Sequence, residues 1–280
     1  MSSGNMKMSL RLENLFKKFD RKTVINGLSM SIEKGEFHVL LGPSGDGKSV
    51  LLGLIAGLLK ADAGRILINE KDLTRLLPEK RPVSMVFQDY ALFPHLTVRE
   101  NIAFGMKTRR KPRTYIKKKV DEYLELVNLK DKGDEKPHTL SGGQKQRTAI
   151  ARALAAEPEI ILFDEALSHL DLALKEQLMG DLKEMHRQTG TTILYVTHNR
   201  NEAVELADRV TLINGGTVEQ SGTVEELFCR PATEFAASFV GRNKLKKEIW
   251  IYTQNGKSIL QDQSEIENFE KRRMSCEKIV

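Results

Sequence analysis

Cysteine is nearly absent: Cys229 and Cys276 are the two in 280 residues. That excludes a disulfide-stapled scaffold and any zinc site built from cysteines, and it points to a reducing compartment. Long hydrophobic runs are missing as well. The longest nearly apolar stretch, Val50 to Leu59, carries two glycines and is too short to cross a bilayer. The first eight residues, Met1 to Met8, lack the apolar segment of a secretory signal. These absences predict a chain that starts and stays in the cytosol and meets a membrane only through a partner. No internal repeat or low-complexity tract is present, which excludes solenoid architectures. Nor is there a large excess of one charge: 44 lysines and arginines against 38 aspartates and glutamates leave +6. That mild basicity does not by itself imply nucleic acid, because proteins facing an anionic membrane are equally basic.

What is present suits a soluble globular chain: 40% hydrophobic and 29% charged residues, enough for one large or two ordinary domains. Leu10 to Glu33 reads as strand-rich, with short apolar alternations broken at Asn26-Gly27. Phe37 to Leu41 is an apolar run ending at a glycine-rich loop, and Ser49 to Leu59 then has helical spacing. From Pro94 to about Ala156 the pattern is helical. Further apolar strands are expected at Ile160–Phe163, Thr192–Val196 and Arg209–Ile213, separated by helices over Leu172–Gln188 and Asn201–Ala207. Apolar strands alternating with helices predict an α/β fold whose mostly parallel sheet is covered on both faces.

The segment Gly42-Pro43-Ser44-Gly45-Asp46-Gly47-Lys48-Ser49 fits G-x-x-x-x-G-K-[ST]. Such a match arises by chance in about 1 in 100 chains of this length, and the strand before and helix after lower that further. Glycines let successive backbone amides turn toward phosphate oxygens, and the next helix adds the positive end of its dipole. Lys48 would reach the β- and γ-phosphates of ATP, and Ser49 would ligate Mg²⁺. A metal-holding carboxylate should then end a neighbouring buried strand. Ile160 to Phe163, followed by Asp164 and Glu165, supplies it: Asp164 to hold Mg²⁺ through water, Glu165 to act as general base on the attacking water. Ser141, Gly142 and Gly143 before a helix from Gln144 onward form a second anion-binding helix start. Two such starts in one chain suggest two half-sites.

Leu140-Ser141-Gly142-Gly143-Gln144-Lys145-Gln146-Arg147 resembles the signature sequence of the ATP-binding cassette (ABC) ATPases. The resemblance covers roughly residues 9–240. It implies a phosphate-loop NTPase core with an N-terminal antiparallel β subdomain and a helical subdomain at about residues 89–156. A short appendage, residues 241–280, follows and reads as a partial OB-like regulatory element. In the family two subunits pair head to tail, each ATP lying between one chain's loop and the other's signature. By that resemblance the nucleotide contacts are residues 42–50, including Pro43 and Val50, together with Ser141, Gly142, Gly143 and Gln144. Gln88 resembles the glutamine that touches Mg²⁺ and senses the γ-phosphate. Asp171, in Ser168-His169-Leu170-Asp171, resembles the loop linking the two sites, and His198 the switch histidine at the γ-phosphate. Phe19 lies where the family stacks an aromatic ring on adenine, with Phe16 as its rival.

The stretch Gln88 to Asn101 is similar to cassettes of bacterial importers of sugars, polyamines, iron, sulfate, molybdate and other small solutes, where it receives transmembrane permease subunits. The resemblance therefore implies an ATP-hydrolysing importer subunit at the cytoplasmic membrane face, served indirectly by an extracellular solute-binding protein. No nucleic acid is expected. A soluble non-transport ABC ATPase and an ATP-gated regulator are the alternatives. Departures from the family pattern are Asp46, Val50, Ala166, His169 and Asn199; Val50 removes a hydroxyl, and Asp46 weakens anion binding unless it faces solvent. The basic run Lys107 to Lys119 reads as a solvated helix face, with anionic lipid contact as the sharper alternative.

Overall fold

A computed structural model describes residues 8–168 and 170–241. The expectations for His169 and for the appendage from residue 242 onward fall outside the described residues. Strands β1 (Met8–Phe19), β2 (Lys22–Glu33), β4 (Ala63–Ile68) and β5 (Lys71–Asp72) form an antiparallel sheet in the order β2-β1-β4-β5. The second sheet contains β3 (Phe37–Leu41), β6 (Val83–Val86), β7 (Ile160–Asp164), β8 (Thr192–Thr197), β9 (Arg209–Asn214) and β10 (Thr217–Thr223). Its order is β10-β9-β3-β8-β7-β6. All neighbours in it are parallel except β10, which folds back on β9 through the two-residue turn Gly215-Gly216.

The strands of the parallel sheet alternate between two cores. In β7, Ile160 and Leu162 join one cluster while Ile161 and Phe163 join the other. In β8, Leu194 and Val196 face the first, Ile193 and Tyr195 the second. Two covered faces explain why these strands read as continuous apolar runs. One core holds helix α1 (Lys48–Ala56) between the antiparallel sheet and the parallel sheet; Leu51, Leu52, Leu54 and Ile55 are all fully buried in it. The other core lies under α2 (Val98–Thr108), α3 (Arg113–Leu126), α4 (Gly142–Ala155) and α5 (Leu172–Thr189). Helices α6 (Arg200–Leu206), α7 (Val224–Cys229) and α8 (Glu234–Phe239) complete the described chain.

Three local expectations are corrected. Asn26-Gly27 does not break the first segment: β2 runs through it, and the hairpin turns at Asp20-Arg21 instead. The Phe16 ring lies over Gly27, so that glycine makes room for a cross-strand aromatic rather than a turn. Helix α1 stops at Ala56 rather than Leu59, because Gly57 adopts a left-handed conformation and closes it. The basic run is not one helix face. It spans the end of α2, a turn and the start of α3, where Lys111 pairs with Glu157 and both Lys118 and Lys119 with Glu122.

Candidate nucleotide site

Strand register assembles the site. Leu41 of β3 lies opposite Thr197 of β8, Asp164 of β7 opposite Val196, and Val86 of β6 opposite Phe163. The loops carrying residues 42–49, Gln88, Glu165 and His198 therefore leave neighbouring strands at the same, carboxyl edge of the sheet. Ligands bind at that edge in open parallel sheets.

Gly45 and Gly47 both have φ near +90° (89° and 87°), which only glycine adopts without strain. Gly47 caps α1 without any side-chain hydrogen bond, so the first amides of the helix stay available to an anion. Lys48 is buried, and its ammonium donates to the Gly42 carbonyl at 2.9 Å and the Pro43 carbonyl at 2.7 Å, with Glu165 Oε1 4.0 Å away. Burial lowers the Lys48 pKa, while Glu165, Asp46 and Asp164 oppose that shift. Ser49 Oγ donates to Asp164 Oδ1 at 2.8 Å. Burial raises the Asp164 carboxyl, against the Ser49 hydrogen bond.

Glu165 has φ 44°, a left-handed conformation that costs a non-glycine residue about 1–2 kcal/mol. The kink turns the chain at once after β7; the Glu165 amide donates to the Val196 carbonyl and its own carbonyl accepts the Ser168 amide. In this arrangement Glu165 Oε1 lies 3.1 Å from His198 Nδ1, on a ring that is half exposed. The carboxylate thus stands between the lysine of the glycine loop and the histidine after β8.

Apart from Gln88, which shares this edge, the remaining candidates lie elsewhere. Ser141 caps α4 in a reciprocal box: its hydroxyl accepts the Gln144 amide, and the Gln144 side chain accepts the Ser141 amide. Gly142 approaches Leu170 and Tyr90, and Gly143 approaches Leu174, whereas the loop of residues 42–49 approaches Val24, Ile25 and Ile213. Among the described residues no hydrogen bond or ion pair joins the two glycine segments. Asp171 caps α5 by accepting the Leu174 amide at 3.0 Å. Gln88 lies two residues beyond β6. Phe19 ends β1 42% exposed, with Lys17 over its ring at 5.2 Å; Phe16, 38% exposed, has the edge of its ring over Gly27.

Of the departures, Asp46 does not face solvent alone: its carboxylate accepts the Gly215 amide at 3.1 Å, tying the loop to the β9–β10 turn. Val50 packs against the core around α1, Ala166 is buried, and Asn199 caps α6 by accepting the Asn201 amide. Tyr90, Leu92 and Phe93 are half-buried rather than exposed, and the open ring of that region is Phe104.

Two residues that shape this stretch carry no motif. Arg152 of α4 donates to the Tyr90 and Ala91 carbonyls and lies over the Phe93 ring. Asn101, fully buried, donates to the Phe93, Leu96 and Thr97 carbonyls and accepts the Phe93 amide.

The donor set fits Mg²⁺. Ser49 and Asp164 offer two hard oxygens already in contact, and no group of three or more His, Cys, Asp or Glu among the described residues could hold a metal alone. Magnesium bound through one or two protein oxygens, with phosphate and water completing its shell, needs no more.

Strand order, the loop after β3 and the hydroxyl–carboxylate contact beneath it define a phosphate-loop α/β protein, a class built to bind nucleoside triphosphates. Within that class the chain belongs to the ABC transporter family, whose model matches residues 25–168. It is 48% identical over 232 residues to a spermidine/putrescine import ATP-binding protein, PotA, of Hahella chejuensis, covering 83% of this chain and 64% of that one. The same-named protein of Thermotoga maritima is 46% identical, with 84% and 64% covered. That of Acetivibrio thermocellus is 45% identical, with 86% and 68% covered. The chain thus spans a little under two thirds of the length of most of these curated relatives. No helix among the described residues is long and apolar enough to cross a membrane.

Proposed function

We propose that this chain is the ATP-hydrolysing, energy-coupling subunit of a membrane importer, acting peripherally at the cytoplasmic face with transmembrane permease subunits. The observation that carries the ATPase reading is the convergence of Lys48, Ser49, Asp164, Glu165 and His198 at one edge of the sheet. The names of the relatives favour a polyamine as the solute, and an external solute-binding protein would deliver it.

In this reading Lys48 exchanges its two carbonyl partners for the β- and γ-phosphates, and the open amides of α1 receive the remaining phosphate oxygens. Phe19 stacks on adenine, a contact worth about 1–3 kcal/mol by analogy with base–aromatic stacking. Ser49, Asp164 and Gln88 would hold Mg²⁺, which when bound offsets phosphate charge. Glu165 takes a proton from the attacking water, oriented by His198 at its other side. The Ser141–Gln144 segment lies away from its own chain's loop, so it serves the nucleotide of a second copy, with Asp171 beside that junction. ATP contacts both copies only in the closed pair, so its binding favours closure. The Phe93–Phe104 surface, held by Arg152 and Asn101, receives the permease.

The test is self-association in the analytical ultracentrifuge. ATP with Mg²⁺ is expected to convert monomer into dimer, and full hydrolytic rates in a strictly monomeric protein would overturn the reading. A second expectation concerns Val50. Val50→Thr supplies a hydroxyl that donates to the Asp46 carbonyl one turn back when the site is empty and can turn its single proton to a phosphate oxygen when nucleotide binds. Nucleotide binding should tighten by about 0.5–1.5 kcal/mol, or roughly 2- to 12-fold; an unchanged dissociation constant in equilibrium titration contradicts it.

A further inference from the structure

Glu202 is an acid where acids are scarce: it lies in the first turn of α6, 3% exposed. A buried carboxylate is costly unless hydrogen-bonded and paired, and this one is satisfied three times. Its Oε2 accepts Tyr195 Oη at 3.0 Å and Thr197 Oγ1 at 2.7 Å, and its Oε1 lies 3.2 Å from Lys175 Nζ.

Each donor belongs to a segment that carries a site residue. Thr197 immediately precedes His198, and its hydroxyl also accepts the Asn199 amide at 3.0 Å, so the turn is gripped on both sides of the histidine. Lys175 is in the first turn of α5, where its amide donates to the carbonyl of the capping Asp171. The Tyr195 hydroxyl donates from β8, three residues before His198, with its side chain fully buried. Burial and the Glu202 charge push that hydroxyl well above its ordinary pKa, so it stays protonated and keeps donating.

We propose that Glu202 is a positioning residue of the nucleotide site, its carboxylate holding the His198 turn and the start of α5 in a single register. The proposal rests on the ATPase reading above for its kinetic consequence, but the tie itself is local to this chain. A shift of Asp171 at the junction between two copies would reach His198 through Lys175 and Glu202 without passing through the nucleotide. Among the described residues no hydrogen bond or ion pair joins Glu202 to Lys48 or the glycine loop, so removing the tie should affect turnover rather than nucleotide binding.

The experiment combines steady-state kinetics with nitrogen-detected NMR of the histidine rings, the His198 signal being assigned with His198→Gln. Glu202→Ala is expected to lower kcat by about 10- to 100-fold, with KM for ATP within about threefold. The same variant should shift the His198 imidazole resonances while leaving those of the buried His38 in place. Glu202→Gln, which keeps an acceptor for both hydroxyls but loses the Lys175 pair, should restore kcat in part. Should Glu202→Ala fail to fold, Lys175→Met severs the α5 arm alone, and with Glu202→Gln it is read in the same two ways. An unmoved His198 signal, an unchanged kcat, or a loss confined to KM overturns the proposal. A wild-type chain without ATPase activity overturns the ATPase reading instead, and the ring signals then decide on the tie separately.

Discussion

Glu165→Gln is expected to lower ATP turnover by about 100- to 10,000-fold, the range ascribed to a general base, while nucleotide affinity changes by no more than a few-fold. Glutamine keeps the shape of the side chain and an oxygen for the His198 contact at 3.1 Å. It cannot take the proton that the attacking water must lose. The left-handed backbone at Glu165 is fixed by its amide to Val196 and its carbonyl to Ser168, and neither bond involves the side chain. The variant should therefore fold normally and bind ATP through Lys48 and Ser49 as before. On the proposed reading, in which ATP favours closure and hydrolysis reopens the pair, it should accumulate as an ATP-bound dimer. Phosphate release, equilibrium nucleotide binding and sedimentation read the three effects separately. Turnover at wild-type rates would remove Glu165 from the role of base.

The expected loss is concentrated in one side chain because the sheet edge places several others around it, and most of that edge was readable from sequence. Phe37–Leu41, Ile160–Phe163, Thr192–Val196 and Arg209–Ile213 announce themselves because strands buried on both faces are continuously apolar. The glycine loop is legible because its residue types are dictated by phosphate geometry. Strands β4, β5, β6 and β10 are not legible in the sequence. Ala63–Ile68 and Thr217–Thr223 mix charged and polar residues into edge or half-exposed positions, and Val83–Val86 is only four residues long. Asn26-Gly27 misled for a different reason: a pair that favours turns is here a gap for the Phe16 ring, set by tertiary contact rather than local preference. Arg152, Asn101 and Glu202 act through hydrogen bonds to residues distant in sequence or across a turn. No spacing rule encodes such partners, so they become visible only with coordinates.

The second large effect is on stability and falls on Arg81, which also carries no motif. Its guanidinium is 4% exposed and, among the described residues, has no carboxylate within ion-pair distance. Instead Nη1 donates to the Leu54 and Ile55 carbonyls at 2.7 and 2.8 Å, Nε to Leu76 at 3.0 Å and Nη2 to Thr74 at 3.1 Å. Leu54 and Ile55 belong to the last turn of α1, where helical partners run out, although the Leu54 carbonyl also accepts the Gly57 amide. The positive charge thus sits at the negative end of the helix that opens with the phosphate loop. The close passage of Arg81 Nε, which would come within 2.6 Å of any side-chain carbon at position 57, is why glycine closes that helix. Burial lowers the Arg81 pKa, and Asp72 partly opposes this, but an arginine stays charged through any physiological range.

Arg81→Met fills the space but removes four hydrogen bonds from a charged donor. It leaves the buried Ile55 carbonyl without a donor, the buried Leu54 carbonyl with only the Gly57 amide, and the part-buried Leu76 and Thr74 carbonyls weakened, a loss of about 3–5 kcal/mol. For a chain of this size that corresponds to a fall in Tm of roughly 6–20 °C. Arg81→Lys separates charge from shape: an ammonium keeps the favourable sign but cannot span carbonyls from two segments with a planar fork, so it should recover less than half of the loss. ATP binds only the folded loop at the other end of α1, so saturating nucleotide should raise the Tm of the methionine variant by mass action. Thermal unfolding of the three proteins with and without ATP measures these differences. A Tm within 2 °C of wild type for Arg81→Met would mean that water can reach the end of α1 and replace the guanidinium, contrary to its burial.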